Sequence, residues 1–348
     1  MMKTPLLEIT LTGLLASALT GKMSAADFPQ AEITNGQIRL KLYLPDAKHG
    51  YYRGTRFDWS GVIASLEYKG HNYYGPWFDR MDPQTHDFGY SGREVLAGPS
   101  TAISGPVEEF QTNKSALGFD EAKVGGTFVK IGIGVLRKDA ATYDFVKLYE
   151  IVDPGKWAVK RNSDSVEFTQ ELTEPASGYG YVYRKTVRLA KGMPEMVLEH
   201  ILKNTGRRAI QSNVYNHNFL VLDQQPPGPD FLIAFPFQLH SPKPADADLV
   251  QIRGNQIVFT KALENQEVVF MPLQGFADSP KDHEIRIENI KVRAGMKIHG
   301  DRPLSAVNFW AMRRVLSVEP FVTMAIEPGG EFAWKTTYEF YTLPASPR

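Results

Sequence analysis

The sequence contains no cysteine. Disulfides, thiolate nucleophiles and cysteine-ligated zinc are therefore excluded. It also lacks any imbalance of charge, with 39 Lys and Arg against 39 Asp and Glu. No basic block stands out, so nothing draws the chain to nucleic acid or to an anionic membrane, and no nucleic-acid partner is expected. HxH, HExxH and EF-hand spacings are missing, and the eight histidines are scattered, so no metal site is expected. There is no GxSxG nucleophile elbow. Gly132 and Gly134 fall in a strand-like run, "GGTFVKIGIGVLRK", with neither GxGxxG nor Gly-Lys-Ser/Thr. Such glycines mark a bulge or a close backbone approach rather than a phosphate loop. Helical periodicity is scarce: beyond the N-terminal segment no 3.6-residue apolar stripe persists for three turns.

What is present is period-two alternation, which buries one face of a strand and wets the other. It runs through "QIRLKLYLP" (37–45), "YVYRKTVRLA" (181–190), "EMVLEHILKN" (195–204) and "FAWKTTYEFYTL" (332–343). Turn signals punctuate these runs at Asn35-Gly36, Asn204-Thr205-Gly206, 226–230, 253–255 and 328–330. Many strands in a 348-residue chain imply an all-β fold, a large antiparallel sandwich formed as one domain over residues 27–348. Residues 1–26 have a basic start, an apolar core "ITLTGLLASAL" (9–19), and Ser24 and Ala26 at −3 and −1 of a cleavage site. That pattern predicts a signal peptide and a periplasmic or secreted protein. No later segment is apolar enough to span a membrane.

Two segments carry ionisable groups where apolar residues are the rule. "SNVYNHNFLVLD" (212–223) places Asn216, His217 and Asn218 inside a strand pattern. A histidine there is either a hydrogen-bonded core residue or a group facing a cleft. "RVLSVEPFVTMAIEPGGEFAWKTTYEFY" (314–341) ends an apolar strand on Glu319, which lies at a strand-end turn or inside a cleft.

Together, "NTG…IQSNVYNHNF", "SVEPF…IEPGGEFAWKTTYEF" and "YYRGTRFDWSGVIASLEYKGHNYYG" (51–75) resemble the aldose 1-epimerase (galactose mutarotase) family, in register along the chain. The resemblance implies a galactose mutarotase-like antiparallel β-supersandwich with an open sugar-binding face. It implies an isomerase that interconverts the anomers of a free sugar or sugar derivative and needs no cofactor. His217 corresponds to the general acid and Glu319 to the general base, held on opposite sides of a pyranose across one cleft. Asn216 and Asn218 would orient the imidazole or bind sugar hydroxyls.

The chain departs from the family in its first half. The usual Asn-Arg pair and His-Gly are absent from "ALGFDEAKVGGTFVKIG" (116–132). Lys123, His86 or Arg93 are the candidates for the missing sugar contacts. The cluster Tyr73, Tyr74, Trp77 and Phe78 suits a saccharide cleft, with Trp77 as the stacking ring, or a sandwich core. Two other readings stand beside the isomerase: a non-catalytic carbohydrate-binding sandwich, and a polysaccharide lyase or glycoside hydrolase on a related scaffold. A hydrolase needs a second carboxylate near Glu319, for which Glu327 and Glu331 are close in sequence. A lyase would draw on Tyr215 and Arg93.

Overall fold

The computed structural model describes residues 28–112 and 115–344. Residues 1–26, read as a signal peptide, lie outside them. Among the described residues the regular structure is almost wholly β, with two three-residue 3-10 turns at Leu222–Gln224 and Pro280–Asp282. No described helix is long and apolar enough to cross a membrane.

The alternating runs are strands. They correspond to Ile38–Tyr43, Tyr179–Leu189, Glu195–Asn204 and Glu331–Thr342. Gly132 lies in the tight turn between the Thr127–Lys130 and Gly134–Arg137 strands. It has φ +80°, and a Cβ there would sit 2.6 Å from the Asp58 Oδ1. Glycine is required at this position both by the backbone and by the close approach.

Two large antiparallel sheets dominate. The ten-stranded sheet begins with consecutive hairpins from Lys156–Arg161 through Glu195–Asn204. The last strand, Glu331–Thr342, then inserts between Glu195–Asn204 and Ala294–Gly300. The five-stranded sheet has the order Val268–Leu273, Ala306–Met312, Val315–Ile326, Ile210–Phe219, Gly105–Gln111. The largest apolar cluster joins the two, through Leu198, Val187 and Tyr338 on one side and Val318, Leu316 and Phe309 on the other. Removal of this apolar surface from water drives the stacking.

One detail of the smaller sheet positions the site. Ile210–Phe219 pairs with Val315–Ile326 so that Asn213 faces Thr323 and Tyr215 faces Phe321. The ladder then lapses and resumes in the same register at Leu220 and Leu316. Pro320, which has no N–H to donate, sits in the gap. Asn218 fills part of it, its Nδ2 donating to the Val318 carbonyl at 2.7 Å. Continuing the register across the gap sets His217 directly opposite Glu319.

Candidate active site

Alternation sorts the side chains of Ile210–Phe219 onto two faces. Tyr215, His217 and Phe219 point away from the ten-stranded sheet and line a pocket of about 580 Å³, together with Glu319 and Phe321 of the neighbouring strand. Asn308 and Trp310 of the next strand complete its base. Phe88, Phe145 and Phe270 form its walls, and Phe145 and Phe270 stand at the mouth, 43% and 49% exposed. The lining is mainly apolar, with a few polar groups converging on the floor, as in most small-molecule sites.

His217 is 4% exposed and its ring stacks on Phe219 with centroids 3.7 Å apart. Its Nε2 lies 3.1 Å from Glu319 Oε1. Its Nδ1 is buried with no partner among the described residues. Burial pushes the imidazole well below its ordinary pKa, and the Arg56 charge acts in the same direction. Glu319 Oε2 accepts from Asn308 Nδ2 at 3.2 Å. Burial lifts this carboxyl to about 7 against the pull of Arg56 and the Asn308 hydrogen bond, with Glu109 adding to the rise. A carboxyl poised there can both take and give a proton at neutral pH.

Beside the pair lies a second, more saturated set of charges. Arg56 comes from the irregular segment between Ile38–Tyr43 and Val62–Tyr68. Its Nε donates to Glu109 Oε2 at 2.9 Å, and its Nη1 lies 3.5 Å from Asp87 Oδ1. Lys130 Nζ donates to Glu109 Oε1 at 3.1 Å, and the Tyr215 hydroxyl donates to Glu109 Oε2 at 2.5 Å. Burial alone would raise Glu109, but Lys130 and Arg56 outweigh it and hold the group below the usual carboxylate range.

The structure brings His217 and Glu319 into one pocket but not across it. The sequence reading required room for a pyranose between them; they are instead cross-strand neighbours, and directly opposed residues on adjacent strands have touching side chains. Asn216 and Asn218 are corrected from sugar ligands to interior residues, because each lies one position from His217 and so faces the other way. Asn216 Nδ2 donates to Glu108 Oε1 at 2.9 Å, and Asn218 Oδ1 accepts from the Tyr338 hydroxyl at 2.8 Å. Trp77 is also corrected: it is fully buried, donates to the Ile103 carbonyl at 2.9 Å and stacks behind Phe219. Arg93 and Lys123 are exposed and line no part of the pocket, Arg93 at the Phe88–Ser91 and Glu94–Ala97 hairpin and Lys123 in a surface turn. His86 is exposed as well, but its Nε2 meets Asp144 Oδ2 at 2.6 Å, tying together two loops whose next residues, Asp87 and Phe145, line the pocket.

The sequence reading did not assign Arg56, Asp87, Glu109 or Asn308 to the site. Arg56 had a signal in "YYRGTRFDW", and Glu109 had one in "GPVEEF", where two adjacent carboxylates interrupt an apolar strand. The lyase reading finds little here. Arg93 is elsewhere, and Tyr215 is pushed well above its ordinary pKa by burial and then by the Glu109 charge. Glu327 and Glu331 do not line the pocket either.

No protein-family model matches the chain, and no curated relative does. Solved structures do share its fold. The Slr1438 protein of Synechocystis sp. PCC 6803 superposes with a TM-score of 0.52 at 11% identity, over 91% of this chain and 97% of that one. A galactose mutarotase related enzyme of Lactobacillus acidophilus gives 0.51 at 12% identity, over 92% and 99%. A galactose mutarotase-like protein of Clostridium acetobutylicum gives 0.50 at 9% identity, over 91% and 100%. Identity this low carries the architecture alone, and the architecture is the galactose mutarotase-like antiparallel sandwich.

Proposed function

We propose that the pocket binds a carbohydrate and that Glu319, acting with His217, interconverts the anomers at its free reducing end. The observation that carries this reading is a buried carboxyl lifted to about 7, in contact with an imidazole, on the floor of an aromatic-walled pocket of about 580 Å³. Aromatic rings stack on the C–H faces of a pyranose, and the polar floor meets its hydroxyls.

The contact between the two side chains dictates how they would work. O1 and O5 of the sugar are both bonded to C1, so an acceptor and a donor lying side by side can reach both oxygens from one direction. A pair sharing one proton suffices. At rest the shared proton sits on Glu319 beside a neutral imidazole, and it first crosses the 3.1 Å contact to His217. Glu319, now a carboxylate, takes the proton of the O1 hydroxyl while the imidazolium of His217 gives one to O5. The C1–O5 bond breaks, C1–O1 becomes the aldehyde, and the pair still holds one proton, now on Glu319. Rotation about C1–C2 and the reverse transfers close the ring on the other face.

The test is anomer interconversion followed by proton NMR on freshly dissolved α-glucose, α-galactose and α-xylose. The wild type is expected to accelerate equilibration of at least one. His217→Ala and Glu319→Gln should each lose roughly 10²–10⁴-fold of that acceleration with the fold intact by circular dichroism. The same 3.1 Å contact favours a second reading, a non-catalytic carbohydrate-binding site in which Glu319 and His217 face each other rather than the sugar. Binding of a sugar by ligand-detected NMR, without acceleration for any of them, would decide for that reading.

A further inference from the structure

The pocket does not close at Tyr215 and Phe321. Two residues farther along each strand, at Asn213 and Thr323, the same sheet face forms a second depression of about 210 Å³. Gln111 lines both hollows, so they adjoin. The chemistry changes between them. The pocket offers aromatic rings and ionisable groups. The groove offers amides and hydroxyls from Gln111, Thr112, Gln211, Asn213 and Thr323, with no charged side chain among its lining residues. Tyr215 and Phe321, stacked with centroids 4.4 Å apart, stand at the boundary. The Thr323 hydroxyl donates to Asn213 Oδ1 at 2.8 Å, which fixes that amide with its NH₂ unused among the described residues. At about 3.3 Å of rise per residue, Glu319 and Thr323 lie about 13 Å apart along the strand, a longer span than one pyranose ring.

We propose that the cleft takes a neutral oligosaccharide of at least two sugars. The reducing-end ring lies beside Glu319 and His217, the linkage crosses the ring of Phe321, and the next sugar lies on the amide groove. The inference rests on the carbohydrate reading of the pocket and adds the size and charge of the ligand. The pocket needs a free anomeric carbon, so the second sugar must be attached through another oxygen of the first, on the side facing Asn213 and Thr323. A groove of amides and hydroxyls suits uncharged hydroxyls and offers no cation to a uronate or phosphate.

The experiment is titration calorimetry and ligand-detected NMR with glucose, galactose and xylose against maltose, cellobiose, lactose and xylobiose. At least one disaccharide should bind about tenfold more tightly than its own reducing-end monosaccharide, the gain expected of one or two added hydrogen bonds. Asn213→Ala and, separately, Gln211→Ala should bring that ratio towards one, with melting curves like the wild type. Monosaccharide binding with no gain for any disaccharide would overturn this inference and leave the carbohydrate reading standing. A gain that neither substitution reduces would also overturn it. Binding of no sugar of either length would overturn both.

Discussion

Two buried carboxylates of the five-stranded sheet, Glu108 on Gly105–Gln111 and Glu319 on Val315–Ile326, have opposite fates. Glu108 faces the interior between the sheets. It accepts from Lys185, from His200 Nε2 at 2.9 Å and from Asn216 Nδ2 at 2.9 Å. Burial pushes its pKa up, but Lys185 and His200 more than reverse that and leave it at about 2. Glu319, on the pocket face, is also buried, at 6% exposure against 0%, but has Asn308 and a histidine held neutral for company, and it sits at about 7. The difference lies in the number of donors rather than in burial. A carboxylate surrounded by cations is fixed in one protonation state and serves as structure. One left short of donors stays close to titration, which chemistry at neutral pH requires.

The largest expected effect comes from stripping the interior set of its cation. Lys185→Met should destabilise the fold by about 3–5 kcal/mol in urea denaturation at pH 7, because it leaves Glu108 charged, buried and undercompensated. A loss below about 1 kcal/mol would erase the contrast between the two faces. Next comes the pH signature of Glu319. Its folded value is above the ordinary 4.5, so its contribution is full below about 4.5 and is lost as pH rises through about 7. Glu319→Gln has no such ionisation. Its stability relative to wild type should rise by on the order of 3 kcal/mol between pH 4.5 and 8, whereas Glu108 weakens the fold as pH falls from about 4.5 towards 2. A difference between Gln and wild type that is flat in pH, or falls, would show that the pair is a stable ion pair instead. The smallest effect belongs to the rim. Asp144→Ala removes the contact with His86, whose side chain is 69% exposed, and should change stability by under about 1 kcal/mol.

Much of the fold was legible because period two is a direct imprint of a strand with one buried face. "EMVLEHILKN" became Glu195–Asn204 with both ends in place. His217 and Glu319 were legible as candidates because a polar group in an apolar strand needs a reason. The same rule, carried one step further, would have turned Asn216 and Asn218 away from His217. Arg56, Asp87 and Phe145 were harder to place. They come from loops and an irregular segment, where no periodicity predicts which way a side chain points. The contact between His217 and Glu319 was invisible for a different cause: it depends on which strands pair and in what register, and alternation within one strand says nothing about its neighbour.

That pairing has a kinetic consequence. His217 and Glu319 are 102 positions apart, and Arg56 is farther from either, so the heart of the candidate site is assembled from contacts of high sequence separation. Such contacts form late, after long loops have closed, and folds dominated by them reach the native state slowly. A partly folded chain would therefore contain strands but no site. The elevated titration of Glu319 reports completion of the whole sandwich, and its appearance during refolding should lag behind the first β signal.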